Sequence, residues 1–304
     1  MTNYTYPISP SQLSTVTAVE AAGFLKNPLL IARRLSELIT ENKLMSHYLL
    51  SGRWQIVGGA LMLESEVADE EADLATDVVA PGAEYPTESL SDAQRHLITA
   101  QKRGRKRTIT DEGVTRSAMN IVERNLTGLA NKVIRNWEAV SMSVVQSADL
   151  GTITCDPWTD GDTIITAVET AKAEMTGLGK DYNPSVLVIT DAQWAKVAAA
   201  IKDMLPSNDD TIAKGGFPQT LGLSWVRSQY LPKDWVPTLF DRDYFGGIAH
   251  EAILSEGYVP IGNGLAEVKR ERSKDVDGTD ITVRKTDVPV IRNADAGLKI
   301  LGAL

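Results

Sequence analysis

Residues 111–147 read DEGVTRSAMNIVERNLTGLANKVIRNWEAVSMSVVQS, and this stretch decides the fold. Val114, Ala118, Ile121, Val122, Leu126, Leu129, Val133, Trp137, Val140 and Val144 recur every three to four residues, the spacing of one helical face. Thr110 suits the N-cap, and Asp111 and Glu112 suit the first turn, where the helix dipole favours negative charge. No proline interrupts the run. The spacing predicts one helix of roughly 55 Å at 1.5 Å per residue. That is long against a mean of about 11–12 residues in globular proteins. A coiled coil is the alternative, but Gly113, Gly128 and Ser141 weaken the heptad.

Immediately upstream, Lys102-Arg103-Gly104-Arg105-Lys106-Arg107 places five positive charges in six residues. Before it, residues 61–92 hold ten acidic residues and neither Lys nor Arg: Glu64, Glu66, Asp69, Glu70, Glu71, Asp73, Asp77, Glu84, Glu88 and Asp92. The whole chain carries −9, so everything outside this segment sums to +1. The two stretches either neutralise each other within one chain or meet their opposites on a neighbouring copy; a solvated acidic loop is the plainer reading. Residues 54–63 are apolar around Gly58-Gly59 and suit a strand with a bend. Residues 96–109 suit the returning strand, its basic run facing solvent or a partner. Together they predict a long two-stranded excursion, marginal alone in water. Further upstream, residues 29–50 predict a helix through Leu30, Leu35, Leu38 and Ile39. Residues 1–28, polar with three prolines, read as an extended arm.

Downstream the character changes. Residues 162–176 predict a helix closed by Gly177, and residues 184–189 a buried strand. Thr190-Asp191-Ala192-Gln193 is a capping box opening a helix over 194–204. Residues 222–229, 238–240 and 248–254 suit further short strands, giving an α+β unit with a central sheet. Residues 267–272 and 279–285 suit a hairpin turning at Asp277-Gly278, followed by apolar runs at 288–291 and 298–301.

Composition sets limits on function. Of 304 residues, 43% are hydrophobic and 23% charged, the balance of a chain with a buried core. A net acidic chain is not primarily a nucleic-acid-binding surface. One cysteine, Cys155, excludes an internal disulfide and a cysteine-rich zinc site, and His47, His96 and His250 share no motif. No signal peptide or membrane span is expected. Gly177-Leu178-Gly179-Lys180 ends a helix instead of opening one, so it is a helix cap and not a phosphate loop. Asp275, Asp277, Gly278 and Asp280 have the wrong register for a calcium loop. No catalytic, cofactor-binding or metal-ligating set is expected.

The order of elements resembles the major capsid proteins of tailed bacteriophages, a fold shared with herpesvirus shells and encapsulins. The resemblance covers nearly the whole chain and ends on Val288-Pro289-Val290-Ile291-Arg292-Asn293-Ala294-Asp295-Ala296, similar to the family's closing strand and small-residue turn. In the family's terms it implies an N-terminal arm over 1–28 and a helical region over 29–53. It implies an E-loop over 54–107 and an axial domain over 151–265. The peripheral domain, with its spine helix, would comprise 108–150 and 266–304. The implied function is structural and not enzymatic: hexamers and pentamers of this chain form an icosahedral shell enclosing double-stranded DNA, contacted weakly and non-specifically. Portal, scaffold and decoration proteins are further implied partners, and the virion, assembled in the host cytoplasm, the implied location. Contacts between copies are expected from Glu64, Glu66, Glu70, Glu71 and Asp73 on one side. Opposite them stand Lys102, Arg103, Arg105, Lys106, Arg107, Arg116 and Arg124, with Arg33 and Arg34 as further cations.

Two departures carry expectations of their own. Some members begin with a long cleaved scaffolding segment; this chain shows a short arm after Met1, so a separate scaffold, or none, is expected. Some members join subunits by an isopeptide bond from an E-loop lysine, and residues 61–92 contain no lysine. Denaturing gels of mature particles are therefore expected to show a monomer band at the 33.0 kDa chain mass; a covalent ladder mapped to this segment would refute it. Two other functions fit less well: an encapsulin-type compartment holding cargo enzymes, and an enzyme built on the α+β unit, which would need a polar pocket with perturbed carboxylates.

Overall fold

The computed structural model describes residues 16–41, 44–65, 94–200, 219–253, 255–262 and 266–303. The long helix, α4 (Asp111–Ser147), has the predicted bounds, and the Thr110 hydroxyl accepts from the Gly113 amide at its N-cap. It is not one straight rod: Ala118 takes φ 45° and ψ −130°, a break inside the helix. Alanine is the best helix former, so no residue type announces this break.

The N-terminal reading is corrected in two places. Part of the supposed extended arm is helical, α1 (Ala18–Lys26), opened by a capping box in which Thr17 and Glu20 satisfy each other's backbone amides. The predicted 29–50 helix is two, α2 (Pro28–Glu41) and α3 (Met45–Leu49).

The first sheet joins β1 (Gly52–Gln55), β10 (Gly246–His250), β13 (Gly278–Ile291), β12 (Ala266–Arg272) and β11 (Tyr258–Ile261), in that order. The basic run, β4 (Gln101–Thr110), pairs along its whole length with the first part of β13, from Gln101↔Asp287 to Thr110↔Gly278. The far end of β13 pairs with β10, which in turn lies parallel to β1. The second sheet runs β5 (Gly151–Thr154), β14 (Gly297–Leu301), β9 (Thr238–Phe240), β6 (Val186–Ile189), β8 (Leu223–Arg227), β7 (Gln219–Thr220). Helices α5 (Gly161–Thr176) and α6 (Asp191–Ala200) flank it, and α7 (Arg242–Phe245) follows β9. At α6 the capping box forms as read: the Thr190 amide donates to Gln193 and the Gln193 amide to Thr190. The third sheet is a hairpin, β2 (Ala60–Ser65) with β3 (Gln94–Thr99).

Two boundaries of the sequence reading move. The α+β unit was drawn to residue 265, yet β10 and β11 pair into the first sheet; the final strand β14 was assigned away from that unit, yet pairs with β5 and β9. Both follow from pairings between strands far apart in sequence, which local patterning does not encode.

Two cores explain the rotation of the buried face of α4. Val114, Met119, Val122, Leu126, Leu129 and Val133 pack with α1, α2 and the first sheet, while Met142 and Val145 pack with α3, Trp235, Phe240 and Phe245. Val140 and Val144, part of the predicted stripe, are consequently only half-buried. A third core lies under α5 and α6 on the other face of the second sheet. Because α4 is covered by its own chain, the coiled-coil alternative falls.

Candidate functional site

The hairpin stands off the body on a small apolar foot. Leu61, Leu63 and Ile98 share one face and pack with Trp54 and Val288 against Ile56, Ala249 and Val290. The opposite face carries the register pair Met62 and Leu97, 62% and 67% exposed, so among the described residues one side of this two-stranded sheet is unpartnered. Gly58 and Gly59 make the turn into β2 at φ 73° and 83°, a conformation that side chains with a Cβ resist. The Gly59 amide donates to Glu251 and its carbonyl accepts from Ala100, which pins the foot. Glu64 stands opposite Arg95 in the register. Glu66, Glu70, Glu71 and Asp73 lie outside the described residues.

Strand β4 sorts its cations by face. Lys106 bonds Asp280 at 2.9 Å, and Thr108 donates to the other oxygen of the same carboxylate at 2.6 Å. The odd-numbered Arg103, Arg105 and Arg107 share the register of Lys285, Val283 and Ile281, and Val283 and Ile281 are core residues beside α4. These arginines therefore face α4. Arg107 lies over Gly128, its guanidinium filling the space where a Cβ would stand. Lys106 is thus paired within the chain. So is Arg34, held by Glu123 and Glu37. Arg116 and Arg124 are exposed on α4, Arg116 before the break and Arg124 after it.

Between β4 and α4 runs an open groove of about 690 Å³. Its cations are Lys102, Arg103 and Arg105 from the strand and Lys132 and Arg135 from the helix, over a floor of Val133 and Trp137; among the described residues no acidic one lines it. Lys132 and Arg135 escaped the sequence reading, because only the placement of β4 beside α4 shows that they complete a basic surface.

Behind the groove is a buried polar cluster. The Lys285 ammonium is 2.6 Å from Asp287, 3.1 Å from His47 Nε2 and 4.8 Å from the centre of the Trp137 ring. Burial lowers the pKa of Lys285 despite the aspartate beside it. Burial, and then the charges of Lys285 and Arg53, push His47 down to about 3. Glu138 accepts from the Ser46 amide at 3.2 Å and hydroxyl at 2.6 Å, and burial raises its pKa above the ordinary carboxylate value. These groups tie α3, α4 and β13 together. Among the described residues, no group of three His, Cys, Asp or Glu side chains is placed to hold a metal ion, and no helix is long and apolar enough to cross a membrane.

A long helix packed within its own chain, a hairpin with one face open among the described residues, and a cation-lined groove are the features that stand out. A family profile described as phage capsid protein matches residues 94–300, about two thirds of the chain. The chain belongs to the phage capsid protein family. No curated protein matches its sequence. Among solved structures, the fold is similar to the capsid of cyanophage P-SCSP1u (TM-score 0.55, 11% identity, 82% of this chain and 85% of that one). It is also similar to the virus-like particle from Pyrococcus furiosus (0.58, 9%, 88% and 97%) and to the capsid of the native GTA particle (0.56, 14%, 85% and 90%).

Proposed function

We propose that this chain is a major capsid protein whose copies assemble as hexamers and pentamers into an icosahedral shell around double-stranded DNA. The family match over residues 94–300 carries the reading. In this reading β2, β3 and the residues between them are the E-loop and α4 is the spine. The first sheet belongs to the peripheral domain and the second to the axial domain. Shells form in the host cytoplasm, with portal, scaffold and decoration proteins as further partners. A net acidic chain suits a container that must release its DNA, because phosphate affinity scales with Lys and Arg contacts. Electron microscopy of the purified protein is expected to show closed shells or capsomers; a protein that stays monomeric under every assembly condition would overturn the reading. A protein compartment holding cargo enzymes is the second reading; the likeness to the Pyrococcus furiosus virus-like particle is one of fold alone. Nuclease-protected DNA inside particles made in an infected host favours the first, and protein cargo the second.

Assembly is expected to be impaired by high salt. Exposed charge pairs contribute only about 0–1 kcal/mol each, but they repeat around every capsomer. The Debye length falls from about 10 Å at 0.1 M to about 3 Å at 1 M. Light scattering across a salt series reads assembly, with circular dichroism as the folding control. Assembly indifferent to salt would mean that apolar contacts such as Met62 and Leu97 hold the copies together.

A further inference from the structure

We infer that a cavity of about 220 Å³ between α1, β12 and the first turn of α4 binds a phosphate group, as the free ion or at the end of a nucleotide. The site lies within one copy of the chain and is independent of the shell-forming reading. Alternation along β12 leads to it. Ala266 and Val268 are core residues, and Arg270 and Arg272 follow them on the same face. Arg270 stands opposite Ile281, itself a core residue. An apolar side chain would extend the core here; the strand places a guanidinium instead. The Nε of Arg270 is buried with no hydrogen-bond partner, and its side chain makes no ion pair among the described residues. A buried donor left in this state is destabilising, the more so on a charged group.

The lining specifies the ligand. Arg272 is spent on Asp111: its two terminal nitrogens meet the two carboxylate oxygens at 2.9 and 2.6 Å. Lys26, in the last turn of α1, lines the same cavity and makes no ion pair among the described residues. Three cations, Lys26, Arg270 and Arg272, against the one carboxylate of Asp111 leave the lining at +2. A phosphate monoester carries about −1.5 to −2 at pH 7, which matches it. A carboxylate would leave one cation unmatched, and a water would satisfy the donor but neither charge. The guanidinium fork suits phosphate oxygens, Thr279 adds a hydroxyl to the lining, and the start of α4 favours negative charge. At roughly 30 Å³ per water the volume holds about seven waters, room for a phosphate with part of its hydration shell.

The test uses the soluble full chain at constant ionic strength set with chloride. ³¹P spectra of inorganic phosphate and of thymidine monophosphate are followed as protein is added. Saturable broadening is expected. Broadening of inorganic phosphate names the free ion as the source, and broadening of the nucleotide alone names a carried phosphate. Arg270→Met is expected to raise Kd about tenfold or more. Without phosphate this variant should melt at or above wild type, because a partnerless guanidinium leaves a core face. Added phosphate should raise the wild-type Tm more than that of Arg270→Met, since general salt stabilisation acts on both alike. Lys26→Glu, at an exposed position, takes the lining from +2 to neutral and should weaken binding at least as much with unchanged circular dichroism. No broadening of either signal, or full affinity in Arg270→Met, would overturn the inference. If Arg270→Met does not fold, full affinity in Lys26→Glu overturns it equally. Absence of shells on electron microscopy counts against the shell reading alone, since a single subunit suffices here.

Discussion

Trp137→Ala is expected to destabilise the subunit by about 3–5 kcal/mol, the range for removing a large buried aromatic side chain. Trp137 is 5% exposed and packs among Val133, Ile134 and the residues of the first sheet. Its ring also faces the Lys285 ammonium, so the substitution opens a cavity and removes the aromatic surface against which a buried charge rests. Chemical denaturation of the soluble subunit reads the loss directly. A thermal scan should show a fall of roughly 6–20 °C, at about 2–4 °C per kcal/mol for a chain of this size class. Trp137→Phe should retain a good part of the lost stability. A Trp137→Ala subunit melting with the wild type would show that the face of α4 is wrongly assigned.

Acid should destabilise the subunit through His47. In the folded chain its imidazole stays neutral down to about pH 3, because burial and the neighbouring Lys285 and Arg53 disfavour the charged form. Unfolded, it takes up a proton near the ordinary value of 6.5. Between these limits the unfolded state binds the extra proton, so stability falls as pH falls, by about 1.4 kcal/mol per pH unit. Glu138 acts in the opposite sense. Its folded pKa is raised, so the folded state binds a proton first, and stability gained there as pH falls offsets part of the loss. The comparison that isolates the imidazole is His47→Gln, which can still accept from Lys285 but does not titrate. Relative to wild type, this variant should gain about 3 kcal/mol between pH 6.5 and pH 4. Urea titrations at the two values measure it; parallel losses in both proteins would show that His47 is not held neutral.

The legible parts of this fold were those written locally. The apolar period and Thr110 gave α4 its bounds, and the Thr190–Gln193 box gave α6 its start. Helix α1 was legible as well, since Thr17 and Glu20 stand at capping-box spacing, but the prolines around it masked the signal. The parallel pairing of β1 with β10 joins Gly52 to Gly247, and that of β14 with β5 joins Leu298 to Gly151; nothing in either strand names its partner. The basic half of the candidate site was half readable. Residues 102–107 announce themselves by composition, but their division between an internal partner for Lys106 and an open groove for Arg105 depends on the alternation of β4 against β13. Lys132 and Arg135 look like any solvated helix cations until that strand is laid beside them.

Strand β13 has a mechanical consequence. Its fourteen residues hold β4 and β12 over their first part and β10 near their end, and β10 holds β1 at the foot of the hairpin. A pull along this strand cannot peel its ladders open one rung at a time; it must shear several rows of hydrogen bonds together. Tension entering at the hairpin would pass through one continuous tie to the flank of α4. In a shell wall, a subunit wired this way would take tension as a rope does, lengthwise.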